Sequence, residues 1–245
     1  MRSNLPHPAG TPGTPESGLA SEPSWREVLC WHEGAHAIAA RALGCELGGV
    51  TIEPAHYYEG PCWSPSSKGP QAGESRSDIE QIYSRVREMM PPAGASREWA
   101  AIWFLHARDE VVIKLAGLVG ERLRYGREFT RDTPGACDAV EARAFAEALV
   151  AAPEAVEELL HYCQTEAEAI VRKHWSSVEA LAAALEHCST LSAAEIDQCI
   201  AVGVAADALA QEKRRREEWT RVIKRHPSAN CFPGSAISQN ANNSE

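Results

Sequence analysis

The sequence predicts a mainly α-helical domain carrying one short strand or small β element. Three observations predict it. Apolar residues recur at helical spacing through most of residues 24–225. Residues that start and stop helices punctuate that stretch. By contrast, Val50-Thr51-Ile52-Glu53 is short, β-branched and ended by Pro54, the pattern of a short strand.

Composition sets the outer limits. A chain of 245 residues with 44% hydrophobic content can build one sizeable core with appendages. The formal charge is 24 − 34 = −10, so no nucleic-acid partner is expected. No apolar run approaches the roughly 18 residues of a membrane span, so no membrane association is expected either. Residues 1–23 hold five of the fifteen prolines among Gly, Ser and Thr, and read as a disordered leader rather than a signal peptide. The expected location is cytoplasmic. None of the eight cysteines forms a Cys-x-x-Cys pair, which points to free thiols in a reducing compartment.

The elements follow in order. Ser24 with Glu27 forms a capping box for an amphipathic helix over 24–44, and Gly44 stops it. After the strand, residues 54–77 read as a long loop. Ser77 caps a helix from Asp78 to Met90, halted by Pro91-Pro92. Ser96 to Tyr125 is one long buried helix, or two in series, with Trp99, Trp103, Val111, Leu115 and Val119 on its apolar positions and Gly126 as its stop. A helix from Asp138 to Ala151 follows a polar stretch. Pro153 opens the next helix, to Trp175. Further helices are expected over 177–187 and 192–202, with a charged helix over 204–225 and a disordered tail over 226–245. The domain is thus bounded as 24–203. The basic run Lys213-Arg214-Arg215-Arg216, interleaved with Glu212, Glu217 and Glu218, reads as a solvated helix face.

Chemistry enters with His32-Glu33-Gly34-Ala35-His36 in the first helix. Residues i and i+4 share a helix face, so two imidazoles can point at one ion. Glu33, rotated about 100° around the axis, can reach a water held there without itself being a ligand. This is the metallopeptidase arrangement, and catalytic zinc needs a third protein ligand. The metzincin pattern is excluded, because Ala39 and Ala42 stand where Gly and His would be required. A glutamate from a later helix is one option, and Glu121, Glu141 and Glu147 are candidates. Asp138, at a Gly-rich helix start, is a better one; its plain alternative is an N-cap aspartate.

Three stretches together resemble the peptidase domain of the FtsH-type membrane-anchored AAA proteases. His32-Glu-Gly-Ala-His-Ala-Ile-Ala-Ala, then Gly49-Val-Thr-Ile-Glu-Pro, is similar to the family's zinc helix and its short edge strand. Leu115-Ala-Gly-Leu-Val-Gly-Glu-Arg-Leu-Arg-Tyr-Gly126 resembles the family's Ala-Gly-x-x-Ala-Glu-x-x-x-x-Gly helix, with Gly135-Ala-Cys-Asp138 and Ala142 following at the expected distance. Trp175-Ser-Ser-Val-Glu-Ala-Leu, then Thr190-Leu-Ser-Ala-Ala-Glu-Ile196, resembles the closing helices. The coverage is residues 24–202.

The resemblance implies a zinc-dependent endopeptidase with one Zn²⁺ per chain held by His32, His36 and Asp138, and Glu33 as general base. The family usually carries one more residue before the ligand aspartate; with that deletion placed differently, Asp132 becomes the ligand. No Gly-x-x-x-x-Gly-Lys-Ser/Thr loop and no membrane anchor occur in the sequence. The implied protein is a stand-alone peptidase module, ATP-independent by itself. Its expected partners are a polypeptide substrate and either a separate unfoldase or further copies of itself. Strand 50–52 is expected to offer its edge to an extended substrate. The alternative is a catalytically inactive, metal-stabilised binding module of the same fold.

Overall fold

A computed structural model describes residues 22–53, 62–63, 79–127 and 134–225. It is mainly helical. The elements are α1 (Trp25–Ala42), β1 (Gly49–Thr51), β2 (Cys62–Trp63), α2 (Ile79–Met89), α3 (Arg97–Tyr125), α4 (Pro134–Leu149), α5 (Pro153–Lys173), α6 (Trp175–Cys188), β3 (Thr190–Ser192) and α7 (Ala193–Arg225).

Helix α1 is the centre of the molecule. Both halves of its capping box form: the Glu27 N–H donates to Ser24 Oγ (3.2 Å) and the Ser24 N–H to Glu27 Oε2 (2.6 Å). At the other end Cys45 N–H reaches the Ala40 carbonyl and Gly44 N–H that of Arg41, a Schellman motif with Gly44 at φ 84°. Between these caps every residue from Val28 to Ala40 is buried. The sequence suggested an amphipathic helix; the structure shows one buried on all sides, packed between α3 and α6. Small residues make this workable. A Cβ on Gly120 of α3 would lie 2.7 Å from Ala35 Cβ, so glycine sets the close approach of α3 to α1.

Helix α3 is a single 29-residue helix capped by Ser96 and stopped by Gly126 at φ 73°. Its second half is core, with Val111, Val112, Ala116 and Val119 fully buried. Its first turns are not: Trp99 is half exposed, as are Ile102, Phe104 and Leu105. Trp31 of α1 stacks on Trp175 of α6, ring centroids 5.2 Å apart, and the Arg124 guanidinium caps Trp31 at 4.6 Å.

Three expectations are corrected: the start of α4, the break between the last two helices and the free edge of β1. Helix α4 begins at Pro134, four residues earlier than expected, because proline suits the first turn of a helix. Asp138 therefore lies in the body of α4 and is not its N-cap. The helices expected at 192–202 and 204–225 are one continuous α7, and the 203/204 boundary falls inside it. Gly203 is buried against the Ser177 backbone, where a side chain would collide; it serves helix contact, not termination. The small β element expected after α1 has, among the described residues, three antiparallel strands in the order β2-β1-β3, with Val50 opposite Cys62 on one side and Leu191 on the other. Because β1 is the middle strand, Gly49 and Val50 are paired on both sides and offer no free edge to a substrate. Strand β3 was not foreseen: three residues whose pairing partners lie about 140 positions away leave no periodic trace.

The distal half of α7 is exposed, and Arg215 and Arg216 both pair with Glu212 on the same helix. Among the described residues, no helix is long and apolar enough to cross a membrane.

Candidate metal centre

The two histidines of α1 point the same way. His32 Nε2 and His36 Nε2 are 2.9 Å apart. From α4, Asp138 Oδ2 lies 3.0 Å from the first and 3.2 Å from the second. All three side chains are buried, and their ligand atoms form a group that could hold a metal ion. Ligands about 2.0–2.1 Å from a tetrahedral ion stand roughly 3.3 Å apart, so the observed spacing is close to what such an ion needs.

The proton positions strengthen this fit. His36 Nδ1 lies 2.6 Å from the Ile113 carbonyl of α3, which only accepts, so that nitrogen carries the hydrogen. His32 Nδ1 donates to Glu121 Oε1, also at 2.6 Å. Both Nε2 atoms are thereby left as acceptors facing a carboxylate oxygen. Three lone pairs at such distances repel one another unless a proton or a metal ion lies between them. One proton on His32 Nε2 satisfies its contact with Asp138 but leaves His36 Nε2 opposed to Asp138 Oδ2. A metal ion satisfies all three.

Electrostatics agree. Burial by itself disfavours an imidazolium at His32, yet hydrogen bonds to Asp138 and Glu121 outweigh it and raise the pKa to about 10. Burial also opposes the Asp138 charge, but Lys114, His36 and His32 together hold that carboxyl well below the usual range. The pocket is thus built to retain positive charge. Loading a metal must expel the proton from His32, so metal affinity should rise about tenfold per pH unit between roughly pH 6 and 8. Competition with a chromophoric chelator across that range measures it; a flat profile would show that the metal-free pocket holds no proton.

Glu33 is fully buried, and neither carboxylate oxygen has a hydrogen-bond partner among the described residues. Burial pushes its pKa up to about 7, while His32 and His36 pull it down. It is a carboxylate poised between its two forms at neutral pH.

The remaining candidates fall elsewhere. Glu121 contacts the far nitrogen of His32, so it orients that ring and lies outside the three-donor group. Glu141 pairs with Lys114 at 2.6 Å and Arg85 at 3.3 Å. Glu147 is exposed, beside Arg143. Asp132 lies outside the described residues. Cys30 and Cys163 are buried thiols pushed up to about 12 and about 11, which leaves them unreactive at neutral pH.

Sequence reasoning missed Lys114, Ile113 and Gly117. Lys114 Nζ pairs with Asp138 Oδ1 at 3.2 Å. A Cβ on Gly117 would lie 2.5 Å from His36 Nε2 and 2.7 Å from His32 Nε2, so only glycine leaves room for both rings. The motif Ala116-Gly117 was visible, but nothing local showed what that glycine faces.

No family model matches this chain, and no curated protein matches it. What points to a function is the site itself: a buried group of two histidines and one aspartate, followed in sequence after His32 by a glutamate with no partner among the described residues.

Proposed function

We propose that this protein is a zinc-dependent metalloendopeptidase of the FtsH-like type. The observation that carries the reading is Glu33: a buried carboxylate with no hydrogen-bond partner among the described residues, next in sequence to one member of a three-donor group. Leaving such a group unpaired costs folding free energy, of order several kcal/mol for a charged one. A catalytic base gives that cost a purpose.

His32 Nε2, His36 Nε2 and Asp138 Oδ2 would hold the ion, with Glu121 and the Ile113 carbonyl fixing the two rings. Zinc supplies Lewis acidity, which polarises the scissile carbonyl and acidifies water. Glu33 takes a proton from the attacking water as its oxygen bonds to the carbonyl carbon. It then delivers that proton to the amine nitrogen as the C–N bond breaks. The substrates are unfolded or exposed polypeptide segments, cleaved without ATP.

The test is metal stoichiometry together with chelator-sensitive cleavage of a denatured protein, for the parent and for Asp138→Ala. One zinc per chain and cleavage abolished by chelator are expected. Asp138→Ala should lose at least about tenfold to hundredfold in affinity and lose cleavage with it. A parent that cleaves equally with and without chelator would rule the reading out.

A second reading, a metal-stabilised binding module without activity, draws on one observation. His32, Glu33, His36 and Asp138 are all at most 5% exposed. A zinc-loaded parent that leaves every denatured substrate intact selects it.

A further inference from the structure

The ion pair at the second oxygen of Asp138 carries an inference that rests on the metal-centre reading and deepens it. Asp138 uses Oδ2 toward the two histidines, and Lys114 Nζ stands 3.2 Å from Oδ1. Lys114 is itself held at 2.6 Å by Glu141 Oε2, one helical turn after Asp138, and Glu141 Oε1 is met at 3.3 Å by Arg85 of α2. The lysine and both carboxylates are largely buried. Three helices thus converge on the side of Asp138 that faces away from the histidines.

We propose that Lys114 is a positioning residue for the metal centre: it occupies Asp138 Oδ1 and so commits that carboxylate to a single metal-facing oxygen. The physical reason is the freedom of an unrestrained carboxylate. Aspartate ligates through one oxygen or through both, and the second mode fills a position that a catalytic site must leave open. An ammonium held at Oδ1 makes the second mode unfavourable. Glu141 anchors the lysine, which then does not swing toward the histidines and compete with the ion. Arg85 is half exposed and steadies Glu141 from the outside. The effects of substitution should therefore be graded: large at Lys114, intermediate at Glu141, small at Arg85. A merely structural ion pair tying α3 to α4 predicts a change in stability without any change at the metal.

The experiment uses the full chain loaded with cobalt(II), whose visible absorption reports coordination number and whose affinity is measured by chelator competition. It compares the parent with Lys114→Met, Lys114→Gln and Lys114→Arg, with folding checked by circular dichroism. Lys114→Met should stay folded, lose about tenfold to hundredfold in metal affinity, and absorb more weakly per cobalt as Asp138 adds its second oxygen. Lys114→Arg should recover most of both. Should Lys114→Met fail to fold, Lys114→Gln reports the same change at smaller size. A folded neutral variant with unchanged affinity and spectrum overturns the proposal, as does failure of both neutral variants to fold. A parent that binds no cobalt overturns the metal reading as a whole. A parent that binds cobalt yet, loaded with zinc, cleaves nothing removes the peptidase reading and leaves the role of Lys114 intact.

Discussion

Glu33→Gln should retain one equivalent of metal and lose at least about a hundredfold in cleavage rate. Glutamine has nearly the shape of glutamate, so the fully buried site between α1 and its neighbours can hold it without a cavity. It cannot carry a proton between water and amine. The variant also separates function from stability. A carboxyl whose folded pKa is raised to about 7 from an ordinary 4.5 favours the folded state at low pH, and opposes it as pH rises through about 7. The metal-free variant at pH 8 should accordingly be no less stable than the parent. Inductively coupled plasma analysis, a cleavage assay and thermal melts at pH 5 and 8 check the three parts. Full cleavage by a metal-loaded Glu33→Gln would remove Glu33 from the mechanism.

Gly117→Ala should abolish tight metal binding while hardly changing helix content. Alanine favours an exposed helix position over glycine by roughly 1 kcal/mol. Here the added methyl would sit 2.5 Å from His36 Nε2 and 2.6 Å from His32 Cε1, contacts that cannot persist. The helix backbone is anchored along α1, so the imidazoles are what must move. Overpacking costs about 1–3 kcal/mol, which the propensity gain offsets in part, and the melting temperature should move only modestly. Metal affinity, set by the placement of those two nitrogens, should fall by more than about a hundredfold. Isothermal titration with zinc measures it. An unchanged affinity would mean that the rings do not stand where the structure puts them.

These two variants illustrate different depths of legibility. Glu33 could be singled out from the pentapeptide, because its relation to His32 and His36 is fixed by helix geometry within a single turn. Gly117 could not. Its importance depends on which face of α3 meets α1, and 81 residues separate it from His36. The same contrast runs through the fold. Both ends of α1, the start of α3 at Ser96, its stop at Gly126 and the start of α5 at Pro153 were readable from residues adjacent to each end. The start of α4 was not, because Gly135-Ala136 after Pro134 reads equally as a loop and as a first turn.

What the sequence by itself determined is local and periodic: the helical class, the caps, and a helix face bearing His32 and His36 with Glu33 about 100° round the axis. Asp138, 106 residues from His32, was set beside the histidines by the family resemblance alone; the other pairings across long chain separations were decided only by the tertiary structure. It brought Glu121 to His32 over 89 residues and placed Lys114 behind Asp138. It also made β1 a middle strand by pairing it with β3, about 140 residues away, as well as with β2, so Gly49 and Val50 have no free edge. The physical reason is common to all of these. Helix caps and i, i+4 spacing are set by backbone geometry within one turn, whereas the partners of a buried polar group are set by which apolar faces pack together.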